Sequence, residues 1–427
     1  MKRPARGRTR LLCGAGLAAA LVLPAAVAPA QAAPPARTPT GAGPLALLPA
    51  ADGDKGQELP GMPAALDARA ESVTCTPASK EKARKQDWSR QRLDLDRLHR
   101  HTTGEGVTVA LISTGVDPGA QGLDGRVTAQ GDADDDCVGQ GTFLAGLIAG
   151  DGGGTPKLAG VAPRAKILAL RGTDRRGQPE ADLVTAAVRA AVEAEADVIA
   201  VTVALPARDS ALTRAVADAR KAGATVVAAA TPEPPGRGSS DEIPARPYWP
   251  AAEPGVLSVA DMLPAGTRPD TALPTAGIDL AAPGAGVVSG GPRGSGHYLG
   301  AGVAVATAYA AGAAAVVRSA HPDDSPAEAG RRLTATAYPA DIPQVDAYAA
   351  VTTVLGAPGV PGGQAERAAD PVAVRDTSDT DRATGRAVLF VLLGAAGVFA
   401  VLWAGFAVTR SRARGWRPAG AAPADRS

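Results

Sequence analysis

The stretch Val107-Thr-Val-Ala-Leu-Ile112, running directly into Ser113-Thr-Gly-Val-Asp117, decides the fold. Its apolar residues do not alternate with polar ones, which is what a strand covered on both faces of a sheet requires. Working outward, further apolar strand-like runs at 166–171, 196–203, 225–230 and 256–260 are interleaved with helix-like runs at 140–149, 179–195, 210–222 and 304–320. Parallel neighbours need a long crossover, so this alternation predicts an α/β fold of three layers, a parallel sheet between helices. The 427 residues include 44 Lys+Arg and 43 Asp+Glu, a balance that gives no reason to expect nucleic acid.

Blocks around these elements resemble the subtilisin-like serine protease family. Its first strand ends in an Asp that orients the catalytic histidine; Ser113 stands there in Ser113-Thr-Gly-Val. Cys137-Val-Gly-Gln-Gly-Thr-Phe-Leu-Ala-Gly146 resembles the helix start that carries the general base, with Gln140 in its place. Gly302-Val-Ala-Val-Ala-Thr-Ala-Tyr-Ala-Ala-Gly312 resembles the nucleophile turn, with Ala304 at the serine, and Thr225-Val-Val-Ala-Ala-Ala-Thr-Pro232 resembles the oxyanion strand, with Pro232 at the asparagine. The rest of the frame is kept in order: Gly160-Val-Ala-Pro-Arg-Ala165, the stretch Tyr248–Ala260 and Leu280-Ala-Ala-Pro-Gly-Ala-Gly-Val-Val-Ser289.

The chemistry that the resemblance implies is missing from these positions. A serine hydroxyl needs an imidazole to take its proton, and the imidazole needs a carboxylate to fix its tautomer. Glutamine has no titratable nitrogen, alanine no nucleophile and proline no side-chain donor. The four histidines, His99, His101, His297 and His321, lie outside the blocks. His297 follows Ser295 in Arg293-Gly-Ser-Gly-His-Tyr298; a solvated loop histidine is the plainer expectation, and a displaced Ser295–His297 pair the bolder one. The run Asp132, Asp134, Asp135, Asp136 lacks the glycine and terminal glutamate of an EF-hand, and reads as a solvated loop favouring the start of the next helix. Arg171, Arg175 and Arg176 read as a solvated turn after a strand. No metal and no cofactor are expected.

Export is legible in the first residues. Lys2, Arg3, Arg6, Arg8 and Arg10 precede an apolar stretch, and Ala30-Gln31-Ala32 offers a cleavage site, so 1–32 reads as a signal peptide carrying Cys13. Cys75 and Cys137 remain, an even pair in an oxidising compartment, and a disulfide between them is expected. The organisation that follows is an extension at 33–88, a peptidase-like domain at 89–354, a Pro/Ala/Gly-rich linker at 355–386, a transmembrane helix at 387–409 and a tail at 410–427. Arg410, Arg412, Arg414 and Arg417 follow the apolar span, which places the C-terminus in the cytoplasm and the large domain outside. Within the span Ala396, Ala400 and Ala404 repeat every fourth residue, a spacing that suits an approaching helix and is also ordinary in any span.

This layout, the lead-in Gln86-Asp-Trp-Ser-Arg-Gln-Arg-Leu-Asp-Leu95 and the cysteine before the base-bearing block resemble the mycosins, membrane-anchored subtilisin-like proteins associated with type VII secretion. The resemblance implies membrane subunits of a secretion complex as partners. With Ser113, Gln140, Ala304 and Pro232 in place, the expectation is a structural or docking role without proteolysis. Two alternatives stand beside it: a module that binds extended peptides or exported proteins along the old groove, and an endopeptidase acting through displaced residues.

Overall fold

Residues 58–153, 158–234, 245–356 and 378–415 are described by the structure, a computed structural model. The signal peptide, the first part of the extension, residues 357–377 of the linker and the tail beyond 415 lie outside the described residues.

Seven strands form one parallel sheet: β1 (Thr108–Ser113), β2 (Val127–Ala129), β3 (Lys166–Arg171), β4 (Val198–Val201), β5 (Thr225–Ala229), β6 (Leu257–Met262) and β7 (Leu280–Pro283). Their order is β2-β3-β1-β4-β5-β6-β7. β1 pairs in register with β3 from Thr108↔Lys166 to Ser113↔Arg171, and with β4 on its other side. The sheet therefore winds outward from β1 in both directions, and ligands of such sheets gather at the carboxyl ends of the strands near the reversal.

Short helices α1 (Trp88–Arg92) and α2 (Leu95–Leu98) lead into β1. α3 (Gln140–Ala149) and α6 (Val303–Ala320) share one core with one face of the sheet, and α4 (Ala181–Glu193) and α5 (Ser210–Lys221) cover the other. Their surroundings follow from sequence. α4 buries Val184, Ala187, Val188 and Ala191, and α5 buries Leu212, Ala215, Val216 and Ala219, the i, i+3, i+4, i+7 stripe of a helix wet on its other side. α6 is apolar all round, and Val303 through Val317 are buried. α7 (Pro326–Ala335) and α8 (Ala347–Thr352) close that side, α7 beginning with a capping box between Ser325 and Glu328. The antiparallel pair β8 (Val287–Gly290) and β9 (His297–Gly300) stands apart from the main sheet.

The C-terminal helix α9 spans Ser378–Ala413, and its segment Phe390–Arg410 is long and apolar enough to cross a membrane. It begins before the apolar stretch expected from 387, because extending a nucleated helix by a few residues costs little.

α1 fastens the extension to the domain through a buried ion pair. Arg90 is 1 % exposed, bonds to Asp87 at 2.6 Å, and donates to the carbonyls of Leu158, Ala159 and Val288 at 2.8–2.9 Å. Asp87 in turn accepts from the Val288 amide at 2.8 Å, and Ser89 bonds to the Tyr309 hydroxyl of α6 at 2.6 Å. Removing one partner leaves the other charge buried and alone. Arg90→Leu is expected to destabilise the protein by about 3–5 kcal/mol, measured by urea unfolding; a loss under about 1 kcal/mol, the surface-pair range, would show the pair to be solvated.

Candidate functional site

Two of the sequence-predicted positions, Ser113 and Gln140, are brought together at the carboxyl edge of the sheet. Ser113 is the last residue of β1 and Gln140 the first of α3, both buried. Next to Gln140, Gly141 lies so close to Ser113 Oγ and the Gly115 carbonyl that a Cβ there would overlap both. The clamp is Asp136. Its carboxylate accepts from the Gly139 amide at 2.7 Å, the Thr142 amide at 2.8 Å, Thr142 Oγ1 at 2.7 Å and Thr114 Oγ1 at 2.8 Å. Thr114 Oγ1 also accepts from the Gly141 amide at 2.9 Å, so one hydroxyl ties the end of β1 to the start of α3. Burial pushes the Asp136 carboxyl up although these four bonds pull it down. Ser113 Oγ donates to Gly115 O at 3.5 Å, a local backbone contact of the expected kind.

Ala304 sits in the first turn of α6, after Gly302 at φ +112°. The chain leaving β5 passes Pro232 and brings Glu233 onto this turn: the Ala304 amide donates to Glu233 Oε1 at 3.3 Å. The carboxylate lies flush on Gly302, where a Cβ would overlap both of its oxygens. Burial, reinforced by the charge of Asp261, raises Glu233 to about 7, while bonds from the Ala304 and Val303 amides pull the other way. Asp261 of β6 is likewise pushed up by burial, with Arg268 partly offsetting. Neither acid was singled out from sequence, yet a signal existed for Asp261: it is the one charged residue in Leu257-Ser-Val-Ala-Asp-Met262, a strand buried throughout.

Other expectations are corrected. His297 is not a solvated loop residue; it opens β9, half-buried, and its Nδ1 accepts from the Ala83 amide at 3.0 Å. The acidic run is the expected exposed loop at Asp132, Asp134 and Asp135, and its charge at Asp136 does serve the start of α3. The difference lies in burial and pairing. Asp136 is buried as the helix clamp, Asp132 pairs with Arg171 at 3.1 Å, and Asp135 pairs with Arg175 at 2.9 Å. Arg171 is folded inward, donating also to the carbonyls of Thr114, Asp132 and Asp135, and Arg176 donates to Asp67 O and Ala70 O of the extension. Asp132, Asp135 and Asp136 are thus engaged with arginines and amides, and among the described residues no three metal-ligating side chains converge.

The extension wraps this edge. Cys75 and Cys137 are joined by a disulfide with their Cα atoms 4.6 Å apart, one residue from Asp136. Upstream, Met62 N–H donates to Leu299 O at 2.7 Å and Leu299 N–H to Pro60 O at 2.9 Å, so residues 60–62 add to the edge of β9. Met62 Sδ then lies against Gly139, the residue before Gln140.

A two-way parallel sheet with its candidate site at the turn into a buried helix defines a subtilase, and the chain matches the subtilase family over residues 104–371. It belongs to that family, and within it to the mycosin branch. Mycosin-3 of Mycobacterium tuberculosis (strain ATCC 25618 / H37Rv) is 29% identical over 379 residues, 72% of this chain and 81% of the relative. Mycosin-1 of the same strain is 31% identical over 304 residues, 58% and 68% of the two. Among solved structures, MycP1 from Mycobacterium smegmatis aligns with a TM-score of 0.56 at 26% identity, over 67% of this chain and 90% of that one. MycP3, described as a protease from the type VII (ESX-3) secretion system, aligns at 0.55 with 28% identity, over 70% and 98%.

Glu233 carries a pH signature. Its folded value near 7 lies above the ordinary 4.5, so the folded state holds the proton more tightly and the acid costs stability as pH rises between them. Replacing it removes that cost. The stability of Glu233→Gln relative to the parent should rise by on the order of 2–3 kcal/mol from pH 4.5 to pH 7.5, in urea unfolding at each pH. A difference that stays flat would place the carboxylate in solvent.

Proposed function

We propose that this chain is a mycosin-like subtilase without proteolytic chemistry, anchored by its C-terminal helix and serving as a docking part of a type VII secretion complex. The observation that carries the reading is the set of side chains at the carboxyl edge: Ser113, Gln140 and Ala304 stand where the family's blocks place the triad. None supplies a general base. Glu233 adds to it, because its carboxylate lies on the Ala304 amide, a donor that an anionic intermediate would need. A displaced Ser295–His297 pair is disfavoured by the bond that holds His297 Nδ1 to the Ala83 amide.

The membrane side of the reading rests on Phe390–Arg410 and the arginines after it, which by the positive-inside rule put the tail in the cytoplasm and the domain outside. MycP3 and MycP1 are described as parts of type VII systems, and the retained frame supports the same setting here. Fold and chemistry are separable, so a complex can keep the surface of a subtilase after its reaction is gone.

Affinity capture of the full-length protein from native membranes solubilised in mild detergent tests the docking role. Secretion-channel membrane subunits are expected to co-purify, and a variant with residues 387–408 replaced by an unrelated span shows whether helix or domain holds them. Recovery of the protein alone would sink the reading. Incubation with an unfolded protein tests the chemistry: turnover is expected at least about 10^6-fold below an intact triad. Cleavage well above that level which disappears in Ser295→Ala would instead establish the displaced site.

A further inference from the structure

One imidazole holds the middle of the extension. Upstream the segment is tied by the Cys75–Cys137 disulfide, and downstream by Asp87, which pairs with Arg90 and accepts from the Val288 amide. Between these points His297, at the start of β9, bonds to it twice: its amide donates to Glu81 O at 2.7 Å, and its Nδ1 accepts from the Ala83 amide at 3.0 Å. Ala83 is buried with Leu158 and Val288, so its amide depends on that acceptor. An Nδ1 that accepts places the proton of the neutral ring on Nε2. Protonation of Nδ1 turns it into a donor aimed at a donor.

The charges around the ring favour the neutral form. Burial is the largest cause that holds the imidazole below its ordinary 6.5, and Lys82 of the extension and Arg90 of α1 add to it. Asp87 is engaged with Arg90, and Glu81 reaches His297 through its carbonyl while its side chain is exposed. Arg293, in the turn before β9, donates to the carbonyls of Thr76, Asp136 and Cys137.

We propose that His297 is a pH-sensitive latch on the extension: closed while its ring is neutral, and opened by protonation, which frees residues 79–85 from the start of β9 while the disulfide and Asp87 keep both ends attached. The freed ring takes up its proton near the ordinary 6.5 and the latched ring only at lower pH. Closure is therefore fully favoured above 6.5 and is lost as pH falls through the latched value. Opening uncovers a face of the domain, because Gly296 lies so close to Ser79 that a Cβ there would overlap the Ser79 carbonyl. That face is covered at neutral pH and free in acid. The latch acts within this chain alone and stands whether or not the docking reading does.

Hydrogen exchange of the full-length protein in non-ionic detergent, read by mass spectrometry on peptides covering 76–86, tests the latch. After correction for the intrinsic rate, opening at Ala83 should be about tenfold or more frequent at pH 5.0 than at pH 7.5, while peptides of β1 keep their protection. His297→Asn offers an acceptor that cannot titrate, and His297→Leu offers none. The first should stay closed and the second open at both pH values. His99, His101 and His321 are present in all three proteins, so the comparison isolates His297. Thermal unfolding identifies a variant that fails to fold, and the parent with the other variant then decides. Equal protection of 76–86 at the two pH values in the parent, or a pH dependence that persists in either variant, overturns the proposal. So does an NMR titration that places His297 of the folded parent at or above 6.5.

Discussion

The geometry of the carboxyl edge depends on one buried carboxylate. Asp136 gathers two amides and two hydroxyls from the end of β1 and the first turn of α3, and so fixes where the strand and the helix touch. The contact is close enough to require glycine at 141, and it sets Gln140 beside Ser113. The Asp136 side chain is buried, and that burial raises its carboxyl even with four bonds to it. The disulfide at Cys137 and the strand-end contacts of Arg171 are built directly onto the same segment.

That dependence means that the frame does not rest on catalytic side chains. Ala304 is part of a helix whose first fifteen residues are buried among small apolar neighbours, so an alanine there fits the packing as well as a hydroxyl would. Gln140 serves the fold through its backbone, as the opening residue of α3, whatever its side chain can do. The acids that do matter electrostatically, Glu233 and Asp261, come from elsewhere: from the loop after β5 and from a strand interior.

The central elements were legible because both faces of the sheet are covered. Continuous apolar runs marked β1, β3, β4, β5 and β6, and amphipathic runs marked α4 and α5, within a few residues of where they stand. β2 is three residues long, half-exposed and carried by its pairing with β3, so local composition gave it no mark. β8 and β9 are likewise set by tertiary contact, since β9 is completed by residues 60–62 of a distant segment. At the site, Ser113, Gln140 and Ala304 were assigned through the resemblance of their blocks to the subtilisin-like family, whereas the approach of Glu233 to Gly302 depends on how the chain turns after Pro232, a path that no periodicity encodes. The arginine partners of the acidic run were hidden for a related reason: Arg171 and Arg175 lie about forty residues away.

The described part of the extension, from residue 58 on, belongs to the same folded unit as the site. It completes the edge of β9, supplies Asp87 to the buried Arg90, and is bonded through Cys75 to Cys137, three residues before the start of α3 that Asp136 clamps. An exposed sheet edge invites a foreign strand, and here residues 60–62 already cover that of β9. Any partner that approaches Gln140 therefore meets Met62 and the extension as much as the subtilase domain. Loss of the extension would not simply open the old groove. It would strip β9 of its edge and leave the buried Arg90 guanidinium and the Val288 amide without the Asp87 carboxylate, so the surface offered for docking and the stability of the domain are properties of one structure.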